Sequence, residues 1–221
     1  MNIIVTGTSR GIGKELVEIL STNHNVIALS RSLGQLSLNN SITYIPFDFG
    51  KIDNHEFENK LKEWGRVDIL INNAGHLVNK PFLEITLEEI QEMCNVNFSG
   101  PYRLIQNTIP YMNGKIKHVV NISSIGGVQG SVKFAGLSGY SSSKGALGIL
   151  TECLAEELKE MGVKVNTLAL GAVQTEMLDQ AFPGYKAPIS AFDMAKYIAY
   201  FAINHHQYYN GKIISVSTST P

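Results

Sequence analysis

Short, mostly apolar runs rich in β-branched residues recur along this chain, each separated from the next by a longer stretch of helical period. Residues 3–5, 25–29, 42–45, 67–71, 118–122 and 163–168 read as strands, with a last edge at 213–216. Between them, Ile12, Leu16, Ile19 and Leu20 form one apolar stripe, and further helical patterns cover 56–64, 87–97, 104–112, 142–161 and 191–204. Strands this apolar have no solvent face, so helices must cover both sides of a parallel sheet. Right-handed crossovers then predict an α/β fold, a doubly wound parallel β-sheet flanked by helices on both faces, with its ligand crevice at the carboxyl ends of the strands. No repeat, linker or low-complexity tract divides the chain, and residues 1–221 read as a single domain.

Other bulk properties narrow the class of ligand. Eighteen basic and nineteen acidic residues leave a net charge of −1, which makes no electrostatic case for nucleic acid or an anionic membrane as partner. No apolar stretch approaches the roughly 18 residues that span a bilayer, and the start at Met1 runs straight into a strand without a signal-peptide pattern. Cys94 and Cys153 lie far apart in helical stretches, as small buried residues would in a reducing compartment. A cytoplasmic protein acting on small molecules is the expectation. His76, His205 and His206 have no metal-ligand spacing with acids or cysteines and read as surface or structural residues, so no metal site is expected.

The first strand leads into Thr6-Gly7-Thr8-Ser9-Arg10-Gly11-Ile12-Gly13, where a helix begins. Glycines there let the backbone turn sharply and approach a pyrophosphate, and the helix start points free N–H groups at the anion. The same glycines would also serve an ordinary tight turn; their place in the first loop of a Rossmann-type pattern favours a nucleotide. Three residues separate the first two glycines, and this spacing resembles the Thr-Gly-x-x-x-Gly-x-Gly loop of the short-chain dehydrogenases/reductases.

The resemblance extends along nearly the whole chain. Asn72-Asn73-Ala74-Gly75 matches the family's Asn-Asn-Ala-Gly motif, which in relatives lies against the adenosine side of the cofactor. Asp48 matches its acidic residue at the adenine amino group, although it also suits a cap before a helix over 53–64. The residue ending the second strand decides between nicotinamide cofactors, since an acid there would bind the ribose 2′-OH and repel a 2′-phosphate. Here it is Ser30, followed by Arg31, with Arg10 as a second cation. Arginine forms paired, charge-assisted contacts with phosphate, so NADP(H) is expected; the plainer alternative leaves Arg31 a solvated surface charge.

Tyr140 and Lys144 stand four apart in a helical segment and share a face. A phenol titrates near 10, and bringing it toward ~7 takes about 4 kcal/mol, for which a neighbouring ammonium is a plausible source. Alone, this spacing arises often by chance. Its company is what the resemblance supplies: Ser124 (or Ser123) closing the fifth strand as catalytic serine, Asn97 as the proton-relay asparagine, and the segment from Leu170 through Val173 to Thr175 holding the nicotinamide carboxamide. The implied chemistry is hydride transfer from NADPH to a ketone or aldehyde. Ser124 would stabilise the developing alkoxide, Tyr140 act as general acid, and Lys144 hold the ribose and lower the tyrosine pKa.

Two departures from the family pattern bear on detail. Leu170 replaces a proline, which predicts a looser carboxamide loop, and the end from Ile214 to Pro221 lacks an Asp-Gly-Gly, which leaves homodimer and homotetramer both open. The lid over the substrate is short, around 174–189 with Met177, Leu178, Phe182 and Tyr185, and suggests an open site for a small or pendant carbonyl. Val128, Val132, Phe134 and Leu137 on the facing loop suit an apolar pocket. The alternative function is an NADP-binding redox sensor without catalysis, against which the retained Tyr140 and Lys144 count.

Overall fold

The computed structural model describes residues 1–50 and 55–218. Among them, seven strands form one parallel sheet in the order β3-β2-β1-β4-β5-β6-β7. The strands are β1 (Asn2–Thr6), β2 (Asn25–Ser30), β3 (Ile42–Pro46), β4 (Ile69–Asn72), β5 (His118–Ser124), β6 (Lys164–Leu170) and β7 (Ile213–Val216). Helices α1 (Gly11–Leu20) and α7 (Ala191–Asn204) cover one face, while α2 (His55–Trp64), α4 (Gly100–Thr108) and α5 (Ser138–Glu157) cover the other. Alternate strand residues therefore enter different cores. Ile3, Val5, Val26 and Ala28 pack toward α1 and α7, and Ile4, Ile27, Leu29 and Leu70 toward the opposite layer. This is why the strands read as largely apolar runs without a polar face.

The reversal of strand order falls between β1 and β4, so the first crevice opens above Thr6 and Asn72. Polar side chains buried beneath it tie α5 to the sheet. Asn72 Nδ2 donates to Asn121 Oδ1 at 2.8 Å, Asn121 Nδ2 donates to Thr151 Oγ1 at 2.9 Å, and Thr151 meets the Thr167 hydroxyl at 2.6 Å. A buried amide or hydroxyl is costly unless bonded, so this chain of contacts fixes where α5 can sit.

Two helix boundaries differ from those the periodicity suggests. Helix α5 starts at Ser138 rather than at 142, which brings Tyr140 inside it. Its first turns are rich in Ser and Gly, weak helix formers, and close packing against α3 (Leu87–Cys94) supports them: a Cβ at Gly139 would lie 2.6 Å from Met93 Cε. The break expected between 97 and 104 is also absent, because α3 continues through a π-helical turn, Asn95–Ser99, into α4. Gly100-Pro101 reads as a breaker, but a π-turn already interrupts the regular ladder there. The helix start expected at Asp53 lies outside the described residues, as do residues 219–221 of the carboxyl end. No described helix is long and apolar enough to cross a membrane.

At the other end of β5, His118 is fully buried. Its Nδ1 lies 2.8 Å from the Ala202 carbonyl and its Nε2 is 3.1 Å from Asn166 Nδ2, so Nδ1 carries the proton and Nε2 accepts. Burial holds its pKa down at about 4. Below pH 6.5 the unfolded chain takes up a proton that the folded protein refuses, so stability falls as pH drops from 6.5 to about 4. Urea midpoints measured across that window should show a loss of about 3 kcal/mol that is much reduced in His118→Gln.

Candidate active site

The glycine loop owes its shape to contacts in which no side chain fits. Gly7 and Gly11 have φ of +72° and +55°, a region side chains disfavour. Gly13 sits so close to the preceding turn that a Cβ would lie 2.1 Å from the Gly7 carbonyl oxygen. Asn73 clamps this loop: its Nδ2 donates to the Thr6 and Gly7 carbonyls at 3.0 and 3.3 Å. The Thr6 hydroxyl in turn accepts from the Asn73 and Ala74 amides at 3.0 and 2.9 Å. The start of α1 has neither a side-chain cap nor an acid in its first turn. Its N–H groups thus remain free for an anion in the cleft that Gly11, Ile12 and Gly13 line.

That cleft, about 980 Å³, runs along the carboxyl ends of the strands. It is bordered by Gly7, Ser9, Arg10, Arg31, Asp48, Asn73, Ala74, Gly75, Ser124, Tyr140, Lys144, Val173 and Thr175 in addition to the helix start. At its adenosine end as read from the sequence, the Ser30 hydroxyl is turned inward. It lies 3.1 Å from Thr8 Oγ1 and donates to the Ser32 carbonyl at 2.8 Å. Arg31 extends outward with its side chain 72% exposed, 3.9 Å from Glu92 of α3, a loose surface pair of small energetic weight. Gln35 N donates to the Ser9 carbonyl at 3.0 Å and ties this rim to the glycine loop.

At the other end, α5 lays Tyr140 and Lys144 against the end of β5. The two candidate serines part here. Ser123 is buried and its hydroxyl donates to the Lys144 carbonyl at 2.8 Å, whereas Ser124 borders the cleft with Tyr140. Gly126 N donates to Ser124 Oγ at 3.2 Å. Lys144 Nζ is buried, donates to the Ile122 carbonyl at 2.8 Å and stands 6.0 Å from the Tyr140 ring centroid. Burial pushes the phenol up to about 12, with the Ser124 hydroxyl opposing it, and pushes the ammonium down to about 8.

Asn97 stands back from the cleft, fully buried in the π-turn. Its Oδ1 accepts from His76 N at 2.8 Å, and its Nδ2 donates to the His76 carbonyl at 2.8 Å and to Ser143 Oγ at 2.9 Å. Ser143 donates onward to the Tyr140 carbonyl at 2.8 Å. Asn97 thus joins three segments at one point, and Ser143, hidden in a run of serines, completes the join. His76 borders the cleft instead of lying on the surface. Thr175 caps the short helix α6 (Glu176–Ala181), accepting from Leu178 N at 3.3 Å. Leu170 extends β6 by pairing with Val216, and Gln174 N donates to the Ile189 carbonyl at 2.8 Å, so backbone pairing holds the segment where relatives have proline. Phe134, Leu137, Met177, Leu178 and Phe182 border the cleft; Val128, Val132 and Tyr185 do not, and Val132 is 62% exposed.

The structure thus sets a glycine-cradled helix start and a serine, a tyrosine and a lysine along one cleft at the carboxyl ends of a parallel α/β sheet. Comparison with known proteins gives the family. The model of the short chain dehydrogenase family matches residues 1–186. An uncharacterized oxidoreductase of Staphylococcus saprophyticus is 36% identical over 80% of this chain and 76% of its own. Carbonyl reductase (NADPH) 2 of Sus scrofa is 34% identical over 80% of this chain and 73% of its own. Among solved structures, a 4-hydroxyisoleucine dehydrogenase complexed with NADH superposes with a TM-score of 0.86 at 23% identity, covering 98% of this chain and 96% of that one. The chain belongs to the short-chain dehydrogenase/reductase family of oxidoreductases.

The Gly13 contact gives a direct check on the loop. Gly13→Ala should destabilise the protein by about 1–3 kcal/mol in urea unfolding, because backbone rather than a movable side chain meets the added carbon.

Proposed function

We propose that this protein is an NADP(H)-dependent oxidoreductase that interconverts a ketone or aldehyde with its alcohol. The observation that carries the reading is that Ser124, Tyr140 and Lys144 border one cleft at the end of β5, with the Lys144 ammonium 6.0 Å from the centre of the phenol ring. The cradle suits a dinucleotide: Gly7, Gly11 and Gly13 leave room for backbone approach, and the uncapped start of α1 would hold a pyrophosphate. At the ribose, Ser30 offers no carboxylate and Arg31 and Arg10 offer cations, which supports NADP(H), the cofactor that the Sus scrofa relative carries in its name. When bound, the nicotinamide cofactor supplies or accepts the hydride.

The remaining chemistry belongs to this chain's own side chains. Ser124 donates a hydrogen bond to the substrate oxygen and stabilises the charge that develops there. Tyr140, kept protonated at neutral pH by its burial, gives its proton to that oxygen in reduction and takes it back in oxidation. The Lys144 ammonium stabilises the phenolate left behind. Asn97 has its side chain committed to His76 and Ser143, so its part in resupplying the proton falls to its backbone carbonyl. Pro101, four residues on, has no N–H to bond that carbonyl in the usual helical way. In this reading residues 174–189 form the substrate lid.

Two measurements test the proposal. Tyr140→Phe should lower the rate of NADPH oxidation with a carbonyl substrate on the order of a hundredfold or more, while nucleotide fluorescence shows binding unchanged. Normal turnover in this variant would refute the assignment, and tight binding without turnover in the wild type would favour the sensor. Arg31→Ala should weaken NADPH about tenfold and NADH less than about twofold, the loss of one charge-assisted contact. Equal losses for both nucleotides would return Arg31 to a plain surface charge.

A further inference from the structure

The end of the cleft beyond Ser124 and Tyr140 is walled by three segments distant in sequence: the loop after β4, the loop between β5 and α5, and helix α6. They are cross-tied. Asn79 Nδ2 donates to the Ala181 carbonyl at 2.8 Å, and Lys80 N donates to the Gly136 carbonyl at 3.1 Å. Phe134 and Phe182 meet edge to face with ring centroids 6.0 Å apart and an interplanar angle of 72°. Gly136, with φ of +85°, lies so near Asn79 that a Cβ would stand 2.0 Å from its Oδ1. The short lid is therefore tied to the loop after β4 at Ala181 and to the loop after β5 through Phe182, and both phenylalanines border the cleft.

The chemistry of this wall is one-sided. Leu77, Leu137, Leu178 and Ala181 border the cleft along with the two phenylalanines, as do Ser124 and Tyr140. The charged groups of the same segments are engaged elsewhere. Lys80 pairs with Glu89, Lys133 Nζ bonds the Val128 carbonyl at 2.7 Å, and Asp179 accepts from Gln174 Nε2 at 2.7 Å. Lys144 lies buried on the Ile122 carbonyl. His76 Nε2 stands 3.6 Å from Glu92, and Glu176 is turned toward the glycine loop, its Oε2 3.7 Å from where a Gly11 Cβ would be. Lys80, Lys133, Lys144, His76 and Asp179 thus each have a partner within the protein.

Resting on the carbonyl–alcohol reading above, we infer that the substrate is an uncharged carbonyl compound bearing an apolar alkyl or aryl group. Its oxygen meets Ser124 and Tyr140, and its apolar group sits under Phe134 and Phe182. A charge carried into such a wall would lose its hydration without gaining a partner, whereas each methylene buried there gains roughly fourfold in affinity.

The test begins with NADPH binding to the wild type, which separates the two readings: without it the cofactor assignment fails. With NADPH bound, three ketones are titrated and turned over: methyl butyl ketone, the keto acid ending the same chain in a carboxylate, and the analogue ending it in trimethylammonium. Bound-nucleotide fluorescence reports affinity even where turnover is slow. The neutral ketone should bind at least about tenfold more tightly than either charged one and show the higher kcat/KM. Phe182→Ala should weaken the neutral ketone several-fold and leave the NADPH Kd unchanged. Phe134→Lys, at a half-buried position that tolerates a long side chain, should move preference toward the keto acid. A charged ketone bound as tightly as the neutral one, no ketone bound at all, or an unchanged preference in Phe134→Lys would overturn the inference.

Discussion

The site depends on how tightly the ends of β1 and β4 are drawn together where the sheet reverses its order. Crossovers leave these two neighbours in opposite directions, and a crevice opens between them in any fold of this topology. Here the crevice is narrowed by one hydroxyl and one amide. Thr6 receives the two N–H groups that β4 presents as it ends, and Asn73 returns two hydrogens to the carbonyls of the turn after β1. That reciprocal clamp holds the loop down on the start of α1, and only glycine fits in the space left. The cradle of glycines at the open start of α1 thus follows from a strand-to-strand bond.

The second constraint is a charge placed where charge is expensive. Lys144 is 3% exposed and rests on a backbone carbonyl, and the shift of its pKa to about 8 comes from that burial. A lysine so placed detracts from stability at neutral pH, and apolar packing on both faces of the sheet has to offset it. Helix α5 cannot relieve the lysine by sliding, because the Ser123 hydroxyl holds its carbonyl and Thr151 is locked to Asn121 and Thr167. The same bonds that keep the lysine in an unfavourable place keep it beside the tyrosine.

Much of this was legible in the sequence because it rests on short-range rules. Largely apolar runs alternating with helical patterns point to strands covered on both faces, and the sheet follows. Glycines at 7, 11 and 13, and the pair Tyr140 and Lys144, stand out through their order along the chain rather than through either spacing alone. What stayed hidden depends on contacts between distant segments. Nothing local distinguishes Ser123 from Ser124; the direction in which each leaves the last residues of β5 does. Asn79 and Ser143 carry no motif, yet one ties the lid and the other joins Asn97 to the helix of Tyr140. The joining of α3 to α4 was missed because Gly100-Pro101 obeys the rule for a break, and a π-turn is the exception to that rule.

That π-turn also bears on how the gene for such a protein can change. Its extra residue offsets the two helical halves by about 100° of rotation relative to a regular helix. The preceding half, through Met93, is phased to support Gly139 and the start of α5, and the following half is phased to bury Leu104, Ile105 and Thr108. Deleting one residue between 95 and 99 would yield a more regular helix and a worse protein, since only one half could keep its phase. Insertions and deletions that surface loops absorb would therefore be excluded from this stretch, and its length is expected to be held constant even where its residues drift.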